Sequence, residues 1–179
     1  ETIQSSRVFV TQLEQPAEAA LAALKIARGA GVTTVFNPAP AAPFDPAIYP
    51  LVDYITPNES ETAAMVGFPV ETIDDAKRAG DVLLKKGVGV ALITLGEKGA
   101  LFHAKDRSVL VPAFHVASVV ETAGAGDAFN GGFAAALAEG REPLAAARFG
   151  CAVAGIAVTR AGTAPAMPHR AEVDALLNR

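Results

Sequence analysis

The sequence has a single cysteine, Cys151, so no internal disulfide can form. A lone thiol fits a reducing compartment, and the cytoplasm is the expected location. Any apolar run of transmembrane length is missing, as is a signal peptide, so no membrane partner is expected. No basic cluster stands out and the net charge is −4, which makes nucleic acid and anionic lipid poor partners. His103, His115 and His169 are scattered without ligand spacing, which argues against a zinc site. There is no repeat, low-complexity tract or linker. An initiator Met is also missing. The chain begins Glu1-Thr2-Ile3 and enters a strand-like run almost at once, as a sequence starting in mid-domain does.

What is present is apolar and regularly patterned. The 179 residues are 51% apolar and 19% charged, enough for one sizeable core and incompatible with wholesale disorder. Residues 7–12 read as a short buried strand, 17–30 as a helix with Leu21, Leu24 and Ala27 or Arg28 at helical spacing, and 32–36 as a second strand. That order implies a right-handed crossover and a parallel sheet. A proline-rich loop, Asn37-Pro38-Ala39-Pro40, leads to a third strand at 53–56. Asn58 then opens a helix to Val66, with Glu61 three residues on in capping-box spacing. A further helix is expected over 74–86 and an apolar strand over 88–95. Alternation over 100–104, 108–111 and 115–119 suggests antiparallel strands at a sheet edge. Alanine-rich helices over 125–139 and 143–159 and a closing helix over 170–177 complete an α/β layer structure.

The stretch Gly124-Ala125-Gly126-Asp127 sits where small residues run into a helix. A helix N-terminus directs backbone N–H groups at one spot, an anion site, and Asp127 is placed beside it. The pattern G-x-x-x-x-G-K-[ST] is absent because no Lys follows. The dinucleotide pattern G-x-G-x-x-G fails because Phe129 occupies its third glycine position, which removes an NAD-dependent enzyme from consideration. Turn chemistry alone equally allows a tight strand-to-helix turn with an acid favoured by the helix dipole.

The wider string Glu121-Thr122-Ala123-Gly124-Ala125-Gly126-Asp127-Ala128-Phe129-Asn130-Gly131-Gly132 resembles the signature D-T-x-[GA]-A-G-D-x-F-x-[GA]-[GA] of the ribokinase-like (pfkB) carbohydrate kinase family. Thr56-Pro57-Asn58-Glu59-Ser60-Glu61 is similar to that family's N-x-x-E motif, and Leu92 to Gly99 to its nucleotide loop. Asn37-Pro38-Ala39-Pro40 and Ile156 to Gly162 are similar to segments of its ribose-phosphorylating members. The segments occur in family order and cover essentially the whole chain.

The resemblance implies a three-layer α/β/α fold with a mostly parallel sheet and an antiparallel edge. Residues 1–179 would form one partial domain, holding the nucleotide-binding and catalytic-base part. It implies ATP-dependent phosphorylation of a sugar, D-ribose to ribose 5-phosphate, with other sugars or nucleosides as alternatives. Asp127 would be the general base, and the N–H groups of Gly124, Ala125 and Gly126 would stabilise the transferring phosphoryl group. Asn58 would contact phosphate, and Glu61 would orient Mg²⁺ through water. Thr94, Gly96, Glu97, Lys98 and Gly99 would hold the nucleotide with Gly126, and Cys151 would lie near adenine. Glu14 and Asp127 would contact the sugar. Each has a plainer reading: a capped helix for Asn58 and Glu61, a strand-end turn for 94–99, a small core residue for Cys151 and a solvated acid for Glu14.

Two departures bear on a K⁺ site that the family builds mostly from backbone carbonyls. The corresponding residues are Glu121, Ala123, Ala157, Arg160 and Gly162, with Ala166 beside them. Family members usually have Asp at Glu121 and often Ser at Ala166, so K⁺ activation is an open expectation. Family members also carry a substantial N-terminal part, with more of the sheet, a glycine-rich sugar-binding segment and a β lid. The sheet edge in this chain is therefore expected to be exposed. The chain would then act either as part of a kinase, homodimeric at full length, or as a non-catalytic nucleotide-binding module.

Overall fold

Short β-branched runs alternate with alanine- and leucine-rich stretches through the first half of the sequence, and the computed structural model, which describes residues 1–116 and 118–178, converts that alternation into strands and helices. The chain packs as two compact units, Glu1–Leu95 with Leu101–Val109, and Gly96–Ala100 with Leu110–Arg179.

The first unit opens with β1 (Val8–Thr11), α1 (Ala17–Gly29) and β2 (Thr33–Phe36). A 3-10 turn over Pro46–Leu51 follows, capped by the Asp45 carboxylate accepting from Ala47 N–H, and was not foreseen from the sequence. Next come β3 (Tyr54–Ile55), α2 (Glu59–Val66), α3 (Ile73–Lys85) and β4 (Val90–Thr94). The antiparallel edge is β5 (Ala100–His103) and β6 (Ser108–Val111). The six strands lie in sequence order, β1 to β6. β1 pairs parallel to β2 from Val8↔Thr33 to Thr11↔Phe36, β2 to β3 at Val35↔Tyr54, and β3 to β4 at Tyr54↔Val90. The fold is therefore α/β with a mostly parallel sheet.

Buried Phe36, Ile55, Leu92 and Ile93 form the sheet's side of the core. α1 lays Ala20, Leu24 and Ala27 against it, at the i, i+4, i+7 spacing of one helix face. Leu21, expected in that stripe, is only half-buried, and Ala20 takes its place. His103 is buried on β5. Its Nε2 lies 3.0 Å from Asp81 Oδ1 and its Nδ1 3.0 Å from Ser108 Oγ, so it ties α3 to the β5–β6 hairpin. No group of three or more metal-ligating side chains occurs among the described residues.

Two expectations need correction. The strand at 7–12 is not buried throughout: β1 pairs only with β2 among the described residues, and Val10 is 42% exposed. An edge strand buries only what its one neighbour and the helix beneath it cover. The strand expected over 115–119 includes Ala117, which lies outside the described residues. On either side of it there is no strand, and Val119 is 61% exposed, because alternation without a pairing partner does not make a ladder.

The second unit is built on α4 (Ala125–Ala138) and α5 (Pro143–Ala157), followed by a 3-10 turn at Ala164–Ala166 and α6 (Arg170–Leu177). α4 and α5 approach closely because small residues line the contact. A methyl group added at Gly132 would lie 2.7 Å from Val153 Cγ2, and one at Gly150 2.9 Å from Phe129 O. Phe129 and Phe133 stack with centroids 6.1 Å apart. Arg141 and Arg170 lie over the Phe149 ring, and both pair with Glu139 and Asp174.

Candidate active site

Parallel strands deliver their C-terminal ends to one edge of the sheet, the edge at which open α/β sheets bind ligands. In the first unit that edge is knitted by side chains. Asn37, just past β2, donates from Nδ2 to Thr56 O at 2.8 Å, and Thr56 N–H donates to Phe36 O at 2.9 Å. Thr94, the last residue of β4, donates its N–H to Pro57 O at 2.9 Å. The turn into α2 is thereby fixed against the end of β4, which brings Asn58, Glu61 and Thr94 together.

Asn58 and Glu61 form the expected capping box. Asn58 Oδ1 accepts from Glu61 N–H and from Ser60 Oγ, each at 2.8 Å, while Glu61 Oε2 accepts from Asn58 N–H at 2.8 Å. Glu61 is only 8% exposed. Burial pushes its carboxyl above the ordinary carboxylate value, and the Asn58 N–H works in the opposite direction. A buried, proton-seeking carboxylate of this kind suits a nearby hydrated divalent cation, which needs few protein carboxylates. Glu14 lies exposed in the loop after β1, next to Leu13, whose N–H donates to Ala39 O at 2.9 Å.

In the second unit, Gly96–Lys98 form a 3-10 turn. Gly96, Glu97 and Lys98 are exposed there, and Gly99 behind them is buried. Gly124 caps α4 with φ of 77°, a left-handed conformation that suits glycine. Helix first-turn N–H groups lack intrahelical acceptors. That of Ala125 is turned to Thr122 O at 3.1 Å, and those of Gly126 and Asp127 follow it at the positive end of the helix. Asp127 is exposed in this first turn. Asn130, which local spacing did not single out, donates from Nδ2 to Gly126 O at 2.9 Å and holds the turn in place. Its position four residues after Gly126 on one helix face was the available signal.

The residues expected around a monovalent cation also lie in this unit. Glu121 Oε2 accepts from Gly162 N–H at 2.7 Å, a link between residues far apart in sequence that no motif showed. Ala157 O accepts from Arg160 N–H at 3.1 Å, and the Arg160 guanidinium pairs with Glu172. Ala166 is buried and offers only a methyl group. Ala123 lies exposed in the loop before Gly124. Glu121 Oε2 is thus engaged by Gly162 and Ala166 has no hydroxyl to offer, while the backbone carbonyls on which such a site mostly depends remain at Glu121, Ala123, Ala157, Arg160 and Gly162. Cys151 is buried on α5, and burial pushes its thiol up to about 12.

A family model described as pfkB family carbohydrate kinase matches residues 1–170. The ribokinase of Haemophilus influenzae is 39% identical over 170 residues, 95% of this chain and 55% of that protein. The deoxyribokinase of Salmonella typhimurium is 36% identical over 169 residues, 94% of this chain and 55% of that protein. The solved structure of Arabidopsis thaliana ribokinase complexed with ribose and ATP aligns with a TM-score of 0.95 at 30% identity, covering 99% of this chain and 57% of that one. The chain spans about half the length of the relatives it matches.

Proposed function

The chain belongs to the pfkB family of carbohydrate kinases, and from that premise we propose that the protein carrying this sequence phosphorylates D-ribose with ATP to give ribose 5-phosphate. The observation that carries this reading is the start of α4, where Gly124 turns the chain left-handed and an exposed Asp127 stands in the first turn. An acid beside a helix N-terminus can receive a proton while the N–H groups stabilise charge on a transferring group.

In this reading the sugar hydroxyl oxygen attacks the γ-phosphorus of ATP. The bond to the ADP oxygen breaks, and the hydroxyl proton passes to the Asp127 carboxylate. Proton transfer accompanies formation of the new O–P bond, so a weakly basic carboxylate suffices. The N–H groups of Gly126 and its neighbours Gly124 and Ala125 stabilise the equatorial phosphoryl oxygens, and small side chains leave room for close approach. In the first unit, Asn58 contacts phosphate, Thr94 supports the nucleotide, and Glu61 holds hydrated Mg²⁺. When bound, that ion neutralises charge on the phosphate oxygens. Gly96, Glu97, Lys98 and Gly99 contribute backbone groups to the nucleotide, Cys151 packs beside adenine, and Glu14 contacts the sugar.

Asp127→Asn keeps the shape and removes the base. In the protein carrying this sequence, kcat for ribose phosphorylation should fall by about 10²–10⁴-fold, with KM for ATP little changed. Undiminished turnover by this variant, measured as ribose-dependent ADP release, would overturn the assignment of the base. The likeness to a deoxyribokinase, almost as close as that to a ribokinase, favours 2-deoxyribose as the second candidate sugar. Comparing kcat/KM for the two sugars decides between them. Calorimetry with ATP and Mg²⁺ on the 179-residue chain, alongside the ADP-release assay, separates a nucleotide-binding module from a working kinase.

A further inference from the structure

The loop before α4 is fastened to the segment after α5 at several points. Val120 N–H and Glu121 N–H both donate to Val158 O, at 2.8 and 3.2 Å. Gly162 N–H donates to the Glu121 carboxylate at 2.7 Å. Gly124 packs so near Thr163 that a methyl group there would lie 3.2 Å from Thr163 Cγ2. Gly124 and Gly162 both have positive φ, 77° and 86°. Each therefore stands at a sharp turn whose direction must be held by contacts outside itself. Of these ties only the one from Glu121 is made by a side chain to a backbone donor, and charge-assisted bonds of this kind are the stronger class.

We propose that Glu121 is a positioning residue: by holding Gly162 N–H it locks the 158–163 segment against Gly124 and so fixes the direction of the first-turn N–H groups of α4. The role in turnover rests on the kinase reading above; the tether itself does not.

The length of the side chain is the lever. Glu121→Asp is one methylene short of Gly162, Glu121→Ala removes the acceptor, and Glu121→Gln keeps an acceptor oxygen at the same reach. Hydrogen–deuterium exchange on the protein carrying this sequence should show peptides covering 121–126 and 158–163 exchanging faster in Glu121→Ala and Glu121→Asp, and near wild-type rates in Glu121→Gln. In parallel, kcat should fall about tenfold or more in the Ala and Asp variants, with KM for ATP within about twofold, because misdirected N–H groups cost transition-state stabilisation rather than ground-state binding. Unchanged exchange in Glu121→Ala overturns the tether whatever the enzyme does. Altered exchange with unaltered kcat overturns the positioning role, as does a Gln variant that behaves like Ala. If the wild-type protein phosphorylates no sugar while the exchange pattern holds, the kinase reading falls and the tether stands.

Discussion

At the scale of single residues, Glu61 shows how one side chain can be favourable for function and costly for stability. Its folded carboxyl titrates above its unfolded value because burial outweighs the Asn58 N–H bond. The sign follows directly. A raised folded value means stability fully present below the unfolded value and lost as pH rises through the folded one. At neutral pH the buried negative charge is therefore a net cost. Glu61→Gln keeps an acceptor for Asn58 N–H and removes the charge. Its melting temperature should exceed wild type at pH 7–8, and the gain should vanish below about pH 4, where wild-type Glu61 is protonated as well. The same substitution should weaken any Mg²⁺ dependence of nucleotide binding. Thermal denaturation across pH checks the first outcome, and calorimetry with and without Mg²⁺ the second.

At the scale of elements, the contrast between α2 and the α4–α5 pair separates local from tertiary causes. The start of α2 was legible because a capping box is written in a four-residue window, Asn58 to Glu61, and needs no distant partner. From sequence, the small side chains of α4 and α5 permit close helix packing without showing which of them meet. Their use appears only when the helices meet, since Gly132 faces Val153 with no room for a methyl group. For Gly132→Ala two effects oppose each other. Helix propensity favours Ala by up to about 1 kcal/mol, while overpacking against a stiff β-branched neighbour costs about 1–3 kcal/mol. The cost should win, lowering the melting temperature by about 2–4 °C per net kcal/mol, as read by thermal denaturation followed by circular dichroism. A second variant, Val153→Ala, opens the contact and should rescue part of that loss in the double mutant.

At the scale of the whole molecule, the sheet ends on β1, with Val10 of β1 42% and Ile26 of α1 46% exposed. A parallel edge with apolar side chains and unpaired backbone groups is a template for another strand. Val10→Lys places a charge on that edge without touching the buried Thr11. In the 179-residue chain it should reduce concentration-dependent light scattering and leave the melting temperature within about 2 °C of wild type, since exposed substitutions rarely exceed about 0.5 kcal/mol. Unchanged scattering would mean that self-association does not run through β1.

The sequence by itself determined the alternation of strands and helices, the capping box and the glycine turn before Asp127. All of these are set by periodicity, capping or turn chemistry within a few neighbouring residues. Only the tertiary structure decided that Ala20 rather than Leu21 is buried on α1, that β3 is as short as Tyr54–Ile55, and that His103 ties α3 to the β5–β6 hairpin. It also decided that Glu121 is spent on Gly162. The reason is common to all four: exposure, strand length and the partner of a charged group depend on what packs alongside, and those neighbours come from far along the chain. Local propensity carries no information about which of them arrives.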